Sequence, residues 1–166
     1  MVRRDRAGMA AIAGDPALFD PDRTMTGAMP PVGDYDCRIV KLGQTGNNRQ
    51  GYTAQDWSRC RIDPAPDDDG GGLYQLTALD GRQRPIGLLY PDTDARSVFL
   101  GALTLADERP LDYGRDQGRD MIGLVERIGS ERWRLVLPHP AYQSVLDLLE
   151  LRPAGQRAGS AGNVAR

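Results

Sequence analysis

Residues 35–42 read YDCRIVKL, and their alternation decides the fold. Tyr35, Cys37 and Ile39 fall on one side of an extended chain, Asp36 and Arg38 on the other. A period of two is that of a half-buried β-strand, because successive side chains leave a strand on opposite faces. The pattern returns in RWRLVLP at 132–138. There Trp133, Leu135 and Leu137 share one face, and Arg132, Arg134 and Val136 share the other. SVFLGALTL at 97–105 and MIGLVERI at 121–128 are also of strand length. Each carries one glycine, which inside a strand marks a bulge or a tight bend.

The connections between these runs are hairpin-like. Asp80-Gly81 suits a type I′ turn. Pro91-Asp92 and Gly129-Ser130 separate further pairs of apolar runs, and APDDDGGG at 65–72 is a polar loop. Candidate strands lie near 34–42, 55–63, 73–79, 85–90, 96–105, 121–128, 132–138 and 146–152, with a turn of helix from Pro140 before the last. The expectation is an all-β fold. About eight antiparallel strands, joined in sequence, form an up-and-down barrel or a strongly curled sheet. An open sandwich would need a long crossover, and DERPLDYGRDQGRD at 107–120, the longest polar link of the second half, is no obvious one.

Outside this run the chain changes character. Residues 1–33 read as a leader, partly helical or irregular: Ala7–Ala13 can form a short helix, broken by Gly14, Asp15 and Pro16. Residues 34–153 form the single barrel-like domain. Residues 154–166 are small, polar and Gly-rich, the composition of a disordered tail. The chain's 166 residues suffice for one domain with a real core. A net charge of −2 gives no basic excess to hold nucleic acid, and no apolar run approaches a membrane span. The apolar part of the N-terminus, Met9–Ala13, is too short for a secretion signal. As the sequence stands it reads as cytoplasmic; with a signal upstream it would be periplasmic or envelope-bound. Lys41 is the only lysine; the bias toward arginine fits a GC-rich genome or a choice of arginine's planar fork.

The only two cysteines, Cys37 and Cys60, each stand in a Cys-Arg-Ile, on strands expected to be neighbours. Both fall on the apolar face set by Ile39 and Ile62. They form a disulfide if the protein is exported; in the cytosol they would be two reduced core residues. No CxxC is present, and the single histidine, His139, lies between prolines and reads as structural, so no metal site is expected.

YGRDQGRD at 113–120 is the richest polar stretch. Arg115-Asp116 and Arg119-Asp120 repeat at a spacing of four, which suits either a two-arginine clamp on an anion or a loop fastened by its own ion pairs. Arg82 and Arg84 stand on a hairpin. Glu126 shares a strand face with Leu124 and Ile128, unless a bulge at Gly123 turns it away. A carboxylate there needs a partner, and an arginine from GRQR or YGRD is the candidate. Arg82, Arg84, Arg115, Asp116, Arg119, Asp120 and Glu126 are therefore the candidate ligand-binding residues. No serine sits in a GxSxG context, and the glycines at 70–72 lack the GK[ST] of a phosphate loop. Trp57 and Trp133 read as core or rim. No catalytic residue and no cofactor is expected.

The pieces GDYDCRIVKLG, RCRI, LDGRQRPIGLLYPD, VFLGALTLADE, YGRDQGRDMIGLVERIGSERWRLVLPHP and LDLLELRPAG occur in this order over residues 33–155. In this the chain resembles a bacterial family known as domain of unknown function 4893. The resemblance implies a small alphaproteobacterial protein, often exported, with no assigned activity; this chain departs from that pattern in lacking the signal. Three readings follow. The first is a non-catalytic envelope accessory or small-ligand-binding barrel whose ligand is small and apolar. The second is an interaction module, such as a barrel-type protease inhibitor, whose leader enters a partner's cleft. The third is an enzyme using Asp116, Asp120 and Glu126, which requires those carboxylates to share a cleft.

Overall fold

A computed structural model describes residues 5–43, 51–66, 69–138, 140 and 144–155. The described residues form two short helices, α1 (Arg6–Gly14) and α2 (Pro16–Phe19), and nine strands. The strands are β1 (Gly33–Leu42), β2 (Tyr52–Ala54), β3 (Ser58–Pro64), β4 (Tyr74–Ala78), β5 (Gln83–Thr93), β6 (Arg96–Leu105), β7 (Asp120–Gly129), β8 (Arg132–Pro138) and β9 (Leu146–Pro153). Every pairing between them is antiparallel. β3 to β9 follow one another in order, and β9 returns to pair with β1 from Tyr35↔Pro153 to Leu42↔Leu146. β2 and β3 lie on the same edge of β1, one after the other, and act as one broken strand. The sheet is thus a closed eight-stranded barrel, and among the named strands closure leaves only the short β2 with a pairing on one side alone.

Alternation fills the interior. Tyr35, Cys37 and Ile39 point inward beside Cys60, Ile62, Leu76, Phe99, Trp133, Leu135 and Leu149, all buried in one cluster. Gly87 and Gly101 face each other across β5 and β6. The Phe99 ring covers both: a Cβ on Gly87 would stand 2.8 Å from it, and one on Gly101 2.6 Å. Gly101, expected to mark a bend, here makes room for an aromatic ring, together with Gly87 opposite it.

The outer face is apolar too, along β7, β8, β9 and β1. Leu18 of α2 packs there with Val40, Ile128 and Leu148, all four buried. Burying a leucine side chain contributes roughly 2 kcal/mol, so this face needs a cover, and the leader supplies it. α1 starts at an Asp5 cap, whose carboxylate accepts from the Gly8 N–H at 2.8 Å. The helix ends at Gly14, as expected, but the chain restarts helix at once, because Asp15 caps α2 and Pro16 suits its first turn.

Arginines then fasten the leader. Arg134, 2% exposed, donates to the carbonyls of Leu18 and Asp20 at 2.8 Å and of Arg23 at 3.1 Å. Arg127 donates to the Thr26 carbonyl at 3.1 Å. Beyond that point the leader crosses one end of the barrel. The Gly27 and Ala28 N–H groups bond the Asp94 carbonyl in the β5–β6 turn, and the Trp133 indole donates to the Gly27 carbonyl at 3.0 Å. Tyr35 Oη donates to the Pro31 carbonyl at 2.6 Å, and Met29 packs on the core. This end is closed by the chain's own N-terminal segment.

The helical turn expected from Pro140, His139 and the tail beyond residue 155 lie outside the described residues. The single strand expected at 55–63 is two strands separated by residues 55–57. Cys37 pairs with Ser58 and Val40 with Ala54, so three residues stand opposite Arg38 and Ile39. The odd count is a β-bulge, which bends a strand locally.

Candidate functional site

The bulge opens the other end of the barrel. The Gln55 N–H bonds the Ile39 carbonyl at 2.9 Å, and the excess chain swings Asp56 and Trp57 to the rim. A cavity of about 470 Å³ lies beneath. Its inner wall is apolar: Ile39, Ala78, Pro85, Leu149 and the Cys37–Cys60 disulfide. Its rim is polar, with Gln55, Asp56, Trp57 and Ser58 from the bulge and Asp80, Gly81, Arg82 and Gln83 from the β4–β5 hairpin. Cavities of this size, mainly apolar with a few convergent polar groups, are typical of small-molecule sites.

The rim groups are held in place. Gln55 Nε2 donates to Gln83 Oε1 at 3.2 Å, so the two amides meet across the mouth. Asp80 accepts from the Arg59 N–H at 2.6 Å. Ser58 Oγ donates to the Cys37 carbonyl at 3.3 Å and lies 3.5 Å from Cys37 Sγ. Trp57 is covered by Arg38 and Arg152, whose guanidinium carbons lie 4.9 and 5.3 Å from its ring centre. Both arginines bond Glu150, fully buried on the outer face, which also accepts from Arg132. On the inner side, two strand positions beyond the Ile39↔Leu149 pair, Lys41 Nζ bonds Asp147 at 2.9 Å, and Ser144 Oγ bonds the other oxygen of that carboxylate. The lone lysine is therefore a buried partner at the closing seam. Among the described residues no group of three or more His, Cys, Asp and Glu side chains is placed to hold a metal ion.

The candidate residues from the sequence separate into three places. Arg82 alone is at the mouth. Arg84 lies nearby, donating to the Glu108 carbonyl at 2.8 Å, and Arg119 is ion-paired with the Glu108 carboxylate and, at 3.7 Å, with Asp116. Asp116 also accepts from the Gly118 N–H and Asp120 from the Gly114 N–H, so these loop carboxylates hold their own turn. Arg119 and the Leu105 N–H keep the Glu108 carboxyl below its usual range. Arg115 donates its backbone N–H to the Asp112 carbonyl at 3.2 Å. Glu126 is elsewhere: it faces outward under the leader, and its partner is Arg134 of the next strand, not an arginine from GRQR or YGRD. No bulge at Gly123 is involved, since the β6–β7 register runs unbroken through it. Asp120 and Glu126 stand six residues apart on β7, roughly 20 Å of strand, and do not share a cleft with Asp116.

Gln55 and Gln83 drew no attention in the sequence, because a neutral amide carries no spacing signal. Lys41 had one: it continues the inward alternation of Cys37 and Ile39, where a charge must find a partner.

Fold and site together define a small β-barrel closed at one end by its own leader and opened at the other by a bulge. The chain belongs to a family described as a domain of unknown function, DUF4893, whose model matches residues 1–151. No curated protein and no solved structure matches it. Among the described residues no helix is long and apolar enough to cross a membrane.

Proposed function

We propose that this protein is a non-catalytic barrel of the cell envelope that binds a small, mainly apolar molecule in its open mouth. The observation that carries the reading is the cavity of about 470 Å³, apolar below and polar at the rim, at the single end of the barrel that the leader does not close. The disulfide in its wall fits an oxidising compartment. The leader supports this reading over the inhibitor one, because the carbonyls of Leu18, Asp20, Arg23, Thr26 and Gly27 already accept from the barrel. A segment so engaged has little backbone left to offer a partner's cleft.

The test is a fluorescence titration with N-phenyl-1-naphthylamine, an apolar probe, on the full chain and on Ala78→Trp. Ala78 is a wall residue, and an indole there fills the mouth. Saturable binding to the natural chain, lost in the variant at unchanged circular dichroism, is the expected result. Binding that survives the substitution sinks the mouth as the site.

A further inference from the structure

The two glutamines at the mouth specify more than an apolar ligand. One hydrogen bond joins their amides, from Gln55 Nε2 to Gln83 Oε1, and neither side chain takes another among the described residues. Each half-buried amide therefore keeps hydrogen-bonding capacity: Gln55 its acceptor oxygen and a second N–H, Gln83 both of its N–H groups. If both amides were turned over, the pair would still present a donor and an acceptor. The wall beneath carries no charge: Ile39, Ala78, Pro85, Leu149 and the disulfide offer a charged group no partner. At the rim, Asp56, Asp80 and Arg82 all border the mouth, so both signs of charge are present there.

We propose that the mouth selects a neutral molecule carrying a cis secondary amide, such as a lactam, a cyclic dipeptide or a ureide. The ligand N–H donates to Gln55, its carbonyl accepts from Gln83, and its hydrocarbon body lies against the wall. The match lies in the paired edge. A cis amide presents donor and acceptor side by side, as the glutamine pair does, so both bonds form without breaking the bond between the glutamines. An ether has no donor and leaves the Gln55 oxygen facing a desolvated ligand, a loss larger than the bond itself, and an alcohol has a single oxygen to serve both glutamines. This inference rests on the mouth being a binding site, and its test separates the two.

Three probes share one bicyclic body: a benzo-fused six-membered lactam, its N-methyl derivative and tetralin. Binding of each to the full chain is read by calorimetry or by chemical-shift changes at Ile39 and Leu149. The lactam is expected to bind about tenfold more tightly than either of the others, the worth of two modest hydrogen bonds. In Gln55→Leu and in Gln83→Leu the lactam is expected to lose its advantage over tetralin measured on the same variant. Equal affinities of lactam and tetralin for the natural chain overturn the amide inference and leave apolar binding standing. If none of the three binds, the binding reading falls and the inference falls with it. The comparison on the natural chain decides the matter even if a variant folds poorly.

Discussion

Arg134 shows how much one side chain organises. It sits beneath the leader on the outer face of β8 and joins Glu126 to three carbonyls of the leader. Arg134→Met keeps the apolar stem but leaves Glu126 and those carbonyls without their donor. Breaking a buried pair in this way is expected to destabilise the fold by about 3 kcal/mol, measured as a lower urea midpoint, with faster amide exchange at residues 18–25. Two residues set opposite limits on pH. Burial raises the pKa of Asp15, but the hydrogen bond and charge of Arg132 outweigh it, and the net shift is downward from 3.8. A lowered carboxylate stabilises above its unfolded value, and the contribution is lost as pH falls through the lower folded value. Acid below pH 3.8 should therefore loosen the leader, and Asp15→Asn should remove that slope from the stability curve. Burial pushes Tyr35 up from 10.0 to about 12. Between those values the unfolded chain releases a proton that the folded one keeps, so stability falls as pH rises through that window. Ultraviolet titration should show one tyrosine ionising late, and Tyr35→Phe should abolish that step. Glu126 stood out in the sequence as a carboxylate in need of a partner, and Tyr35 as part of the apolar face; that the partner is Arg134 of the next strand was not legible, because it depends on how β7 pairs with β8.

Among the elements, β1 does the most. It meets β9 along one side, β3 and β2 along the other, and carries one half of the disulfide. Cys37 lies diagonally from Cys60, opposite Ser58, with the bond on the inner face that alternation assigned to both cysteines. The bridge closes a loop between residues 23 apart, worth about 3 kcal/mol in the chain-entropy model. Replacing both cysteines by alanine should lower the free energy of unfolding by about that amount, read from the midpoint and slope of chemical unfolding. Both are essentially unexposed, so a small dithiol should reduce the natural chain only as fast as it opens, and an immediate gain of two hydrogens by mass under native conditions would contradict this. Strand existence was legible because period two shows in YDCRIVKL and RWRLVLP and turn signals bound the other apolar runs. The break at 55–57 was not. A bulge is an extra residue counted against a partner strand, and that count exists only once Cys37↔Ser58 and Val40↔Ala54 are paired.

At the scale of the molecule, the leader is part of the barrel's packing. Deleting residues 1–30 would uncover Val40, Ile128 and Leu148 and orphan Arg134, besides opening the end that Gly27 and Met29 close. The truncated chain is expected to aggregate, seen by light scattering, at concentrations where the full chain stays monodisperse. A soluble, stable truncated barrel would show the leader to be a dispensable strap.

The sequence by itself determined what is local. It set the two faces of each strand, the turns between them, the helix within the leader and the inward register of both cysteines, because pleat geometry and turn chemistry act over a few residues. Only the tertiary structure decided the rest: that the sheet closes, that β7, β8, β9 and β1 bury both faces, that the leader supplies the cover, and that two unremarkable glutamines meet at the mouth. Those outcomes depend on groups brought together across most of the chain. Alternation says that a strand has two faces, and says nothing of what will cover the second.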